Sequence, residues 1–181
     1  VNKPIKIIAE SLVTITRGNT TGNTSFTDVF FKVETSGSLV LEGKENSTIT
    51  LDGGKENVTS IEAEAPLITS SGNLTLTYCT LQNNTLNNTA NGNGGAVYVS
   101  GGTFTMYNSS IIDCSANVNG GAVYITDGGT FTMNDDAYIR NCNATNSGGG
   151  VCMNSGSSFT MSGGMIDSCT SGLEGGGVYV T

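Results

Sequence analysis

The sequence contains no histidine, no tryptophan and only seven basic residues against 15 acidic ones, for a net charge of −8. The lack of histidine excludes every mechanism that needs an imidazole as a base or a metal ligand. A nucleic-acid partner is excluded because phosphate backbones are bound by clustered Lys and Arg. No apolar run approaches the roughly 18 residues needed to cross a bilayer, so we expect no membrane insertion by this segment.

Glycine, threonine, asparagine and serine instead make up 90 of the 181 residues, while 36% of the chain is hydrophobic. A composition so rich in turn formers indicates disorder when apolar residues are scarce. Here the apolar residues occur in short, evenly spaced runs, which can bury enough surface to offset the loss of chain entropy. We therefore expect a folded, turn-rich chain.

An internal repeat organises the second half of the chain. An apolar triplet preceded by glycine recurs at steps of 26, 28 and 27 residues. Its copies are Val97-Tyr98-Val99, Val123-Tyr124-Ile125, Val151-Cys152-Met153 and Val178-Tyr179-Val180. A second triplet starts 7 or 8 residues after the first, and an isoleucine follows the start of the second by the same interval. These positions are Phe104-Thr105-Met106, Phe131-Thr132-Met133 and Phe159-Thr160-Met161, with Ile111, Ile139 and Ile166.

Each repeat has the pattern of three short strands. Within Thr103-Phe104-Thr105-Met106 the apolar side chains alternate with threonine, which is the period-two signature of a strand with one buried face. Three such strands in about 27 residues describe one coil of a parallel β-helix, in which each strand pairs with its counterpart one coil later at about 4.8 Å. A propeller blade needs roughly 40 residues or more, and a leucine-rich repeat shows a denser Leu pattern and a helical segment, so neither fits.

The glycine-led segments resemble a known family. Gly94-Gly95-Ala96-Val97 and Gly120-Gly121-Ala122-Val123, with Phe131-Thr132-Met133-Asn134, are similar to the GGA(I/L/V) and FxxN motifs of chlamydial polymorphic outer membrane proteins. The resemblance covers residues 94–180. It implies an all-β, right-handed parallel β-helix of the kind found in autotransporter adhesin passengers.

The first sixty residues lack the regular glycine pair and contain most of the basic residues. We interpret residues 1–60 as an irregular N-terminal cap with the first coil, and residues 61–181 as regular β-helix coils. Residues 176–181 repeat the opening strand of a coil without the two strands that should follow. We therefore expect the native protein to continue beyond Thr181, and the open edge to favour end-to-end self-association into filaments.

The acidic residues do not form the pattern of an active site or a metal centre. Asp135 and Asp136 are adjacent, as are the aspartates of polygalacturonase-type β-helix enzymes, in which paired carboxylates act as acid and base. Those enzymes also have a third Asp, a His and an Arg-x-Lys that find no match here, so a solvated turn is the simpler interpretation. Asp113, Asp127 and Asp167 fall in different repeat positions and form no calcium column. We expect no catalytic residue, no cofactor and no metal site.

Two columns of hydroxyl side chains follow from the repeat. In the second strand of each coil, the residues on either side of the inward Phe should face outward, one above the other. They are Thr103, Thr130 and Ser158 in one column and Thr105, Thr132 and Thr160 in the other. This array is a candidate surface for ice, a crystal or a repeating ligand. Outward threonine is also common in strands because of its β-propensity alone.

Three cysteines share one repeat position. Cys114, Cys142 and Cys169 should stack about one strand spacing apart, with Asn84 at the start of the column. Neighbouring Cα atoms at that distance are within disulfide range, but in-register parallel strands point the two Cβ atoms the same way and strain the bridge. Two outcomes stay open, a buried thiol ladder or one disulfide within it.

The repeat predicts architecture more directly than function. The leading hypothesis is a non-enzymatic, adhesin-like or structural β-helix, extracellular or at a cell surface, that presents repeated faces to a protein or glycan of a host, matrix or neighbouring cell. The first alternative is a polysaccharide-active β-helix enzyme. The second is an ice- or crystal-surface-binding protein that uses the threonine columns. Cell or glycan binding, substrate turnover and thermal hysteresis discriminate the three.

Overall fold

The computed structural model describes residues 1–17, 25–26, 28–54, 62–87 and 92–181, which form strands, turns and loops with no helix among them. Three sheets of six strands run along the molecule, and each receives one strand from every turn of the chain. Every pairing in these three sheets is parallel. The all-β parallel β-helix predicted from the repeat is therefore confirmed.

The strands are named here in chain order and grouped by sheet. The first sheet consists of β1 (Pro4–Ile8), β5 (Ser38–Glu42), β9 (Asn73–Thr77), β12 (Thr103–Tyr107), β16 (Thr130–Asn134) and β20 (Ser158–Met161). The second consists of β2 (Val13–Thr16), β6 (Ile49–Asp52), β10 (Cys79–Gln82), β13 (Ser110–Ile112), β17 (Tyr138–Arg140) and β21 (Met165–Asp167). The third consists of β4 (Phe31–Val33), β8 (Ile68–Ser70), β11 (Val97–Ser100), β15 (Val123–Thr126), β19 (Val151–Met153) and β23 (Val178–Val180). Two-residue strands form two smaller sheets, β3 (Ser25–Phe26) with β7 (Glu62–Ala63), and β14 (Ser115–Ala116) with β18 (Asn143–Ala144) and β22 (Thr170–Ser171).

The turns differ in length. Stacked residues of the first sheet are Pro4, Ser38, Asn73, Thr103, Thr130 and Ser158, at intervals of 34, 35, 30, 27 and 28 residues. The predicted period of about 27 thus holds for the last two turns, and the earlier turns are longer. Because β1, β2 and β4 pair in register with the following turn, the extra residues lie in the connections between strands.

Stacked apolar side chains fill the core. The predicted inward residues Val97, Phe104, Met106 and Ile111 are at most 1% exposed, which confirms the strand register inferred from the alternation. The ring of Phe131 stacks between two other phenylalanine rings, with centroids 4.6 Å from Phe104 and 5.0 Å from Phe159. Equivalent residues of successive coils therefore stack on one another.

The two glycines of the repeated pair have separate roles. Gly120 has a φ of 66°, a left-handed conformation that costs other residues roughly 1 to 2 kcal/mol. Gly121 lies against the backbone of the next turn, and a Cβ there would overlap the carbonyl oxygen of Gly149 and the backbone of Asn143. The first glycine sets the turn, and the second allows adjacent coils to approach.

Both end turns expose apolar side chains. In the first turn Leu12 is 73% exposed, and in the last turn Leu173 is 72% exposed. In the first sheet β1 and β20 are edge strands, so each end of the described solenoid presents a strand edge. Such edges are templates for pairing with another chain, and end-to-end association of the 181-residue chain stays a prediction.

Candidate functional site

The six predicted hydroxyl residues lie on the outer face of the first sheet. Register partners are Thr103, Thr130 and Ser158 in one column and Thr105, Thr132 and Thr160 in the other. The preceding turn extends the columns with Asn73 and Thr75, and the turn before that places Ser38 and Val40 there. The Thr103 hydroxyl donates to Asn73 Oδ1 at 2.9 Å, so part of the array is engaged within the protein.

The cysteines Cys114, Cys142 and Cys169 occupy equivalent corners after the second sheet, with Asn84 one turn earlier. At each step the residue after the cysteine donates its backbone N–H to the carbonyl one turn before, at 2.8 to 3.0 Å. The residue before each corner is left-handed, with φ between 53° and 56°, and these residues are Asn83, Asp113, Asn141 and Ser168. All five cysteines of the chain are described, and no disulfide joins any two of them.

Two neighbouring thiols, Cys142 and Cys169, lie at the end of this column. Interaction with the neighbouring Cys142 thiol lowers the pKa of Cys169 to about 7. The same interaction and burial raise the pKa of Cys142. Burial raises the pKa of both Cys79 and Cys152 to about 11. Cys169 is partly exposed, whereas the other four cysteines are at most 2% exposed.

We expect iodoacetamide to modify Cys169 before any other cysteine, because the thiolate is the nucleophile and only this thiol combines a lowered pKa with exposure. Peptide mass spectrometry across pH 5.5 to 9.5 should give a modification midpoint near pH 7. In Cys142→Ala, which lacks the neighbouring thiol, the midpoint should rise towards 9. An unchanged midpoint in that variant, or first modification at Cys79, would contradict the thiol pair.

A buried polar cluster that we did not predict lies at the start of the cysteine column. Arg17 Nη1 donates to Asn84 Oδ1 at 2.6 Å. Arg17 Nη2 donates to the backbone carbonyls of Asp28, Ala65 and Pro66 at 2.9 to 3.1 Å. Burial lowers the pKa of Arg17 to about 10, so its charge persists at neutral pH. The cluster ties together segments that are distant in sequence and holds the loop at Ala65 and Pro66 in place.

The outer face of the third sheet contains a column of aromatic side chains. Tyr98 and Tyr124 are register partners, and their ring centroids are 5.4 Å apart. Cys152 and Tyr179 continue the column towards the C-terminal end. In the other direction Thr69 takes the place of tyrosine. The aromatic stack therefore stops at Tyr98, where a much smaller side chain follows.

Amide side chains lie in the loops before and after this sheet. Asn93 Oδ1 accepts the backbone N–H of Asn119 at 3.1 Å, and Asn119 Oδ1 accepts that of Ser147 at 3.2 Å. After the sheet, the Tyr124 hydroxyl donates to Asn154 Oδ1 at 2.9 Å. These bonds hold the amides in fixed positions beside the tyrosine column.

A cavity of about 250 Å³ lies at the point where the tyrosine stack ends. Its lining residues are Val29, Glu64, Ala65, Pro66, Thr69, Asn93 and Tyr98. In the sequence, the cavity is indicated only by the change from Tyr98 to Thr69 at the middle position of the repeated triplet. The other lining residues lie outside the regular repeat. The cavity combines an aromatic ring and apolar walls with a carboxylate, an amide and a hydroxyl.

The aspartate pair lies in the turn after β16. Asp135 is left-handed, with a φ of 54°, and the backbone N–H of Asp136 donates to Asn108 Oδ1 at 3.4 Å. Asp136 and Tyr138 line a separate cavity of about 300 Å³. Among the described residues, no group of three or more His, Cys, Asp or Glu side chains is arranged to hold a metal ion.

Comparisons with known proteins found no match for this chain: no family model, no curated protein and no solved structure is significantly similar to it. In the part of the chain that the structure describes, no helix has the length and apolar character needed to span a membrane. The outer faces and the cavity are therefore the features from which a function can be inferred.

Proposed function

We propose that this chain is a non-enzymatic β-helix, extracellular or at a cell surface, that binds a protein or glycan through side chains repeated along its outer faces. The proposal rests on the in-register stacking of like residues, such as Thr105 with Thr132 and Tyr98 with Tyr124. Stacking over a packed core makes each face a rigid array with a spacing of about 4.8 Å. Repeated contacts along such an array raise avidity without requiring a strong single contact. The resemblance to surface-exposed passengers supports the same function.

The polysaccharide-active alternative needs Asp135 and Asp136 as its acid and base. Aspartate is one of the residues that adopt the left-handed conformation most readily, which favours a structural role for Asp135 in this turn. Retaining and inverting glycosidases place their two carboxylates on opposite sides of the scissile bond, roughly 5 to 9.5 Å apart. Neighbouring residues of one turn are a poor scaffold for that arrangement.

We expect fluorescently labelled protein to bind saturably to cultured animal cells or immobilised extracellular matrix. Treating the surface with glycosidases before binding would separate a glycan partner from a protein partner. Release of reducing ends from pectic and other polysaccharides, and thermal hysteresis, are measured on the same preparation, and we expect neither. The engaged Thr103 hydroxyl and the interruption of the columns at Asn73 and Val40 argue against an ice-matching face.

Three results would count against the proposal. If the protein bound saturably to none of the cells or matrices, the proposal would be wrong. Turnover that disappears in a variant carrying Asp135→Ala and Asp136→Ala would favour the enzyme. Thermal hysteresis that disappears in Thr132→Tyr, while the melting temperature is unchanged, would favour ice binding through the threonine columns.

A further inference from the structure

We infer that the cavity beside Tyr98 binds one ring of a neutral saccharide. This inference deepens the proposed function and rests on it, because a glycan is one of its two partner classes. Small-ligand sites are concave, mostly apolar and provided with a few fixed polar groups, and pockets for drug-sized ligands have volumes of roughly 300 to 1,000 Å³. A cavity of about 250 Å³ is therefore suited to a single ring rather than to a larger ligand.

The aromatic wall of the cavity is held rigid from behind. Tyr98 packs on Tyr124 at a centroid distance of 5.4 Å, and the Tyr124 hydroxyl is in turn bonded to Asn154. Thr69, the register partner of Tyr98 in the preceding turn, is too short to continue the stack. A sugar ring placed there would take the position of the missing tyrosine, with its C–H groups against the negative face of the Tyr98 ring. A wall that is already ordered binds at a lower entropic cost.

Three residues with polar side chains line the same cavity. Glu64 offers carboxylate oxygens that accept from sugar hydroxyls, and Thr69 offers a hydroxyl that both donates and accepts. Asn93 lines the cavity with its amide oriented by the backbone N–H of Asn119. The loop at Ala65 and Pro66 is fastened through its carbonyls to the Arg17 guanidinium. A hydroxyl-rich ligand would find both donors and acceptors there, with the Asn93 amide already oriented.

Charge favours a neutral ligand over an anionic one. The cavity contains the carboxylate of Glu64, and the whole chain has a net charge of −8. Two nearby cations are already engaged: Lys32, the register partner of Thr69, forms an ion pair with Glu34 at 3.0 Å, and the buried Arg17 guanidinium donates to Asn84 and to backbone carbonyls. A negative surface repels sialylated or sulfated glycans. Hexoses and N-acetylhexosamines meet no such repulsion.

An extended peptide is a weaker fit to this location. Peptides that add to a sheet need an open strand edge. Here β8 pairs with β4 and β11, and β11 pairs with β8 and β15, so the strands beneath the cavity are paired on both sides. Recognition at the cavity must therefore come from side chains, as it does for a saccharide.

Thr69→Tyr tests the site by filling it. The new ring would continue the tyrosine column and occupy the cavity. Thr50→Tyr is the matched control, because Thr50 also faces outward from a strand but lies in the second sheet, away from the cavity and from the threonine columns. Each protein is applied to an array of neutral hexose and N-acetylhexosamine oligosaccharides with sialylated glycans and heparin as the anionic group, and the strongest neutral ligand is titrated by calorimetry. We expect Thr69→Tyr to weaken binding at least tenfold, equivalent to about 1.4 kcal/mol, and Thr50→Tyr to leave it unchanged.

Glu64→Gln provides a second test at an exposed position that does not depend on accommodating a larger side chain. We expect it to weaken neutral-saccharide binding several-fold and to leave the melting temperature unchanged. The inference is overturned if no neutral saccharide binds, if only anionic glycans bind, or if Thr69→Tyr and Glu64→Gln both bind like the wild type. Saturable cell binding by a wild type that binds no neutral saccharide would overturn this site while retaining the proposed function, whereas the absence of cell binding by the wild type would overturn the proposed function itself.

Discussion

Replacing Phe131 with alanine is expected to lower the free energy of unfolding by about 3 to 5 kcal/mol, the range for removing a fully buried aromatic ring. Phe131 is 1% exposed and stacks on Phe104 and Phe159 at the same time. Each aromatic pair adds about 0.5 to 1.5 kcal/mol beyond burial, so the loss of two pairs places the cost in the upper part of the range. Urea unfolding followed by circular dichroism measures the change.

Thr132→Ala is the matched control for this prediction. Thr132 is the next residue of the same strand and faces outward, where substitutions usually change stability by no more than about 0.5 kcal/mol. Phe159→Ala should be less damaging than Phe131→Ala, because Phe159 lies in the last turn and is only partly buried. If Phe131→Ala and Thr132→Ala had similar melting temperatures, the strand register and the stacked core would both be wrong.

The regular coils were predictable because the repeat period and the alternation of apolar and polar residues indicate the same strand positions. Val97, Phe104 and Ile111 recur after 26 to 28 residues, and a parallel β-helix is the architecture that stacks residues at that interval. The early turns were harder to place, since stacked residues there are 34 or 35 apart and the period is hidden by longer connections. Two-residue strands such as β14 were missed because they are too short to show alternation.

The candidate site was less accessible to sequence reasoning. Arg17 lies 67 residues from Asn84, and no local pattern signals that the two side chains bond. The cavity brings Val29, Glu64 and Tyr98 together from three different turns, two of them outside the regular repeat. The hydroxyl column that contains Thr105 and Thr132 could be placed from the repeat period alone. The residues of a site formed by connecting loops can be brought together only once the fold is known.

Gly121→Ala is expected to destabilise the protein by about 3 kcal/mol or more. Overpacked side chains often rotate away, but the methyl group here would overlap backbone atoms of Asn143 and Gly149 in the next turn. Relief therefore requires moving two coils apart, which lengthens the hydrogen bond from the Gly121 N–H to the Gly148 carbonyl, now 3.0 Å. Thermal and urea unfolding measure the cost, and loss of the parallel-sheet signal in the infrared spectrum would show that coil stacking itself is affected.

Gly156→Ala separates this steric effect from backbone conformation. Gly156 has a φ of 84° and no atom within 4 Å of an added Cβ, so alanine there meets only the left-handed penalty of roughly 1 to 2 kcal/mol. The left-handed region is not involved at Gly121, where the close approach of the next coil is the whole reason for glycine. A larger loss of stability for Gly121→Ala than for Gly156→Ala would show that the second glycine of the pair is required by coil spacing. Equal losses would mean that the next coil yields easily, and the repeated glycine pair would then need an explanation other than close backbone stacking.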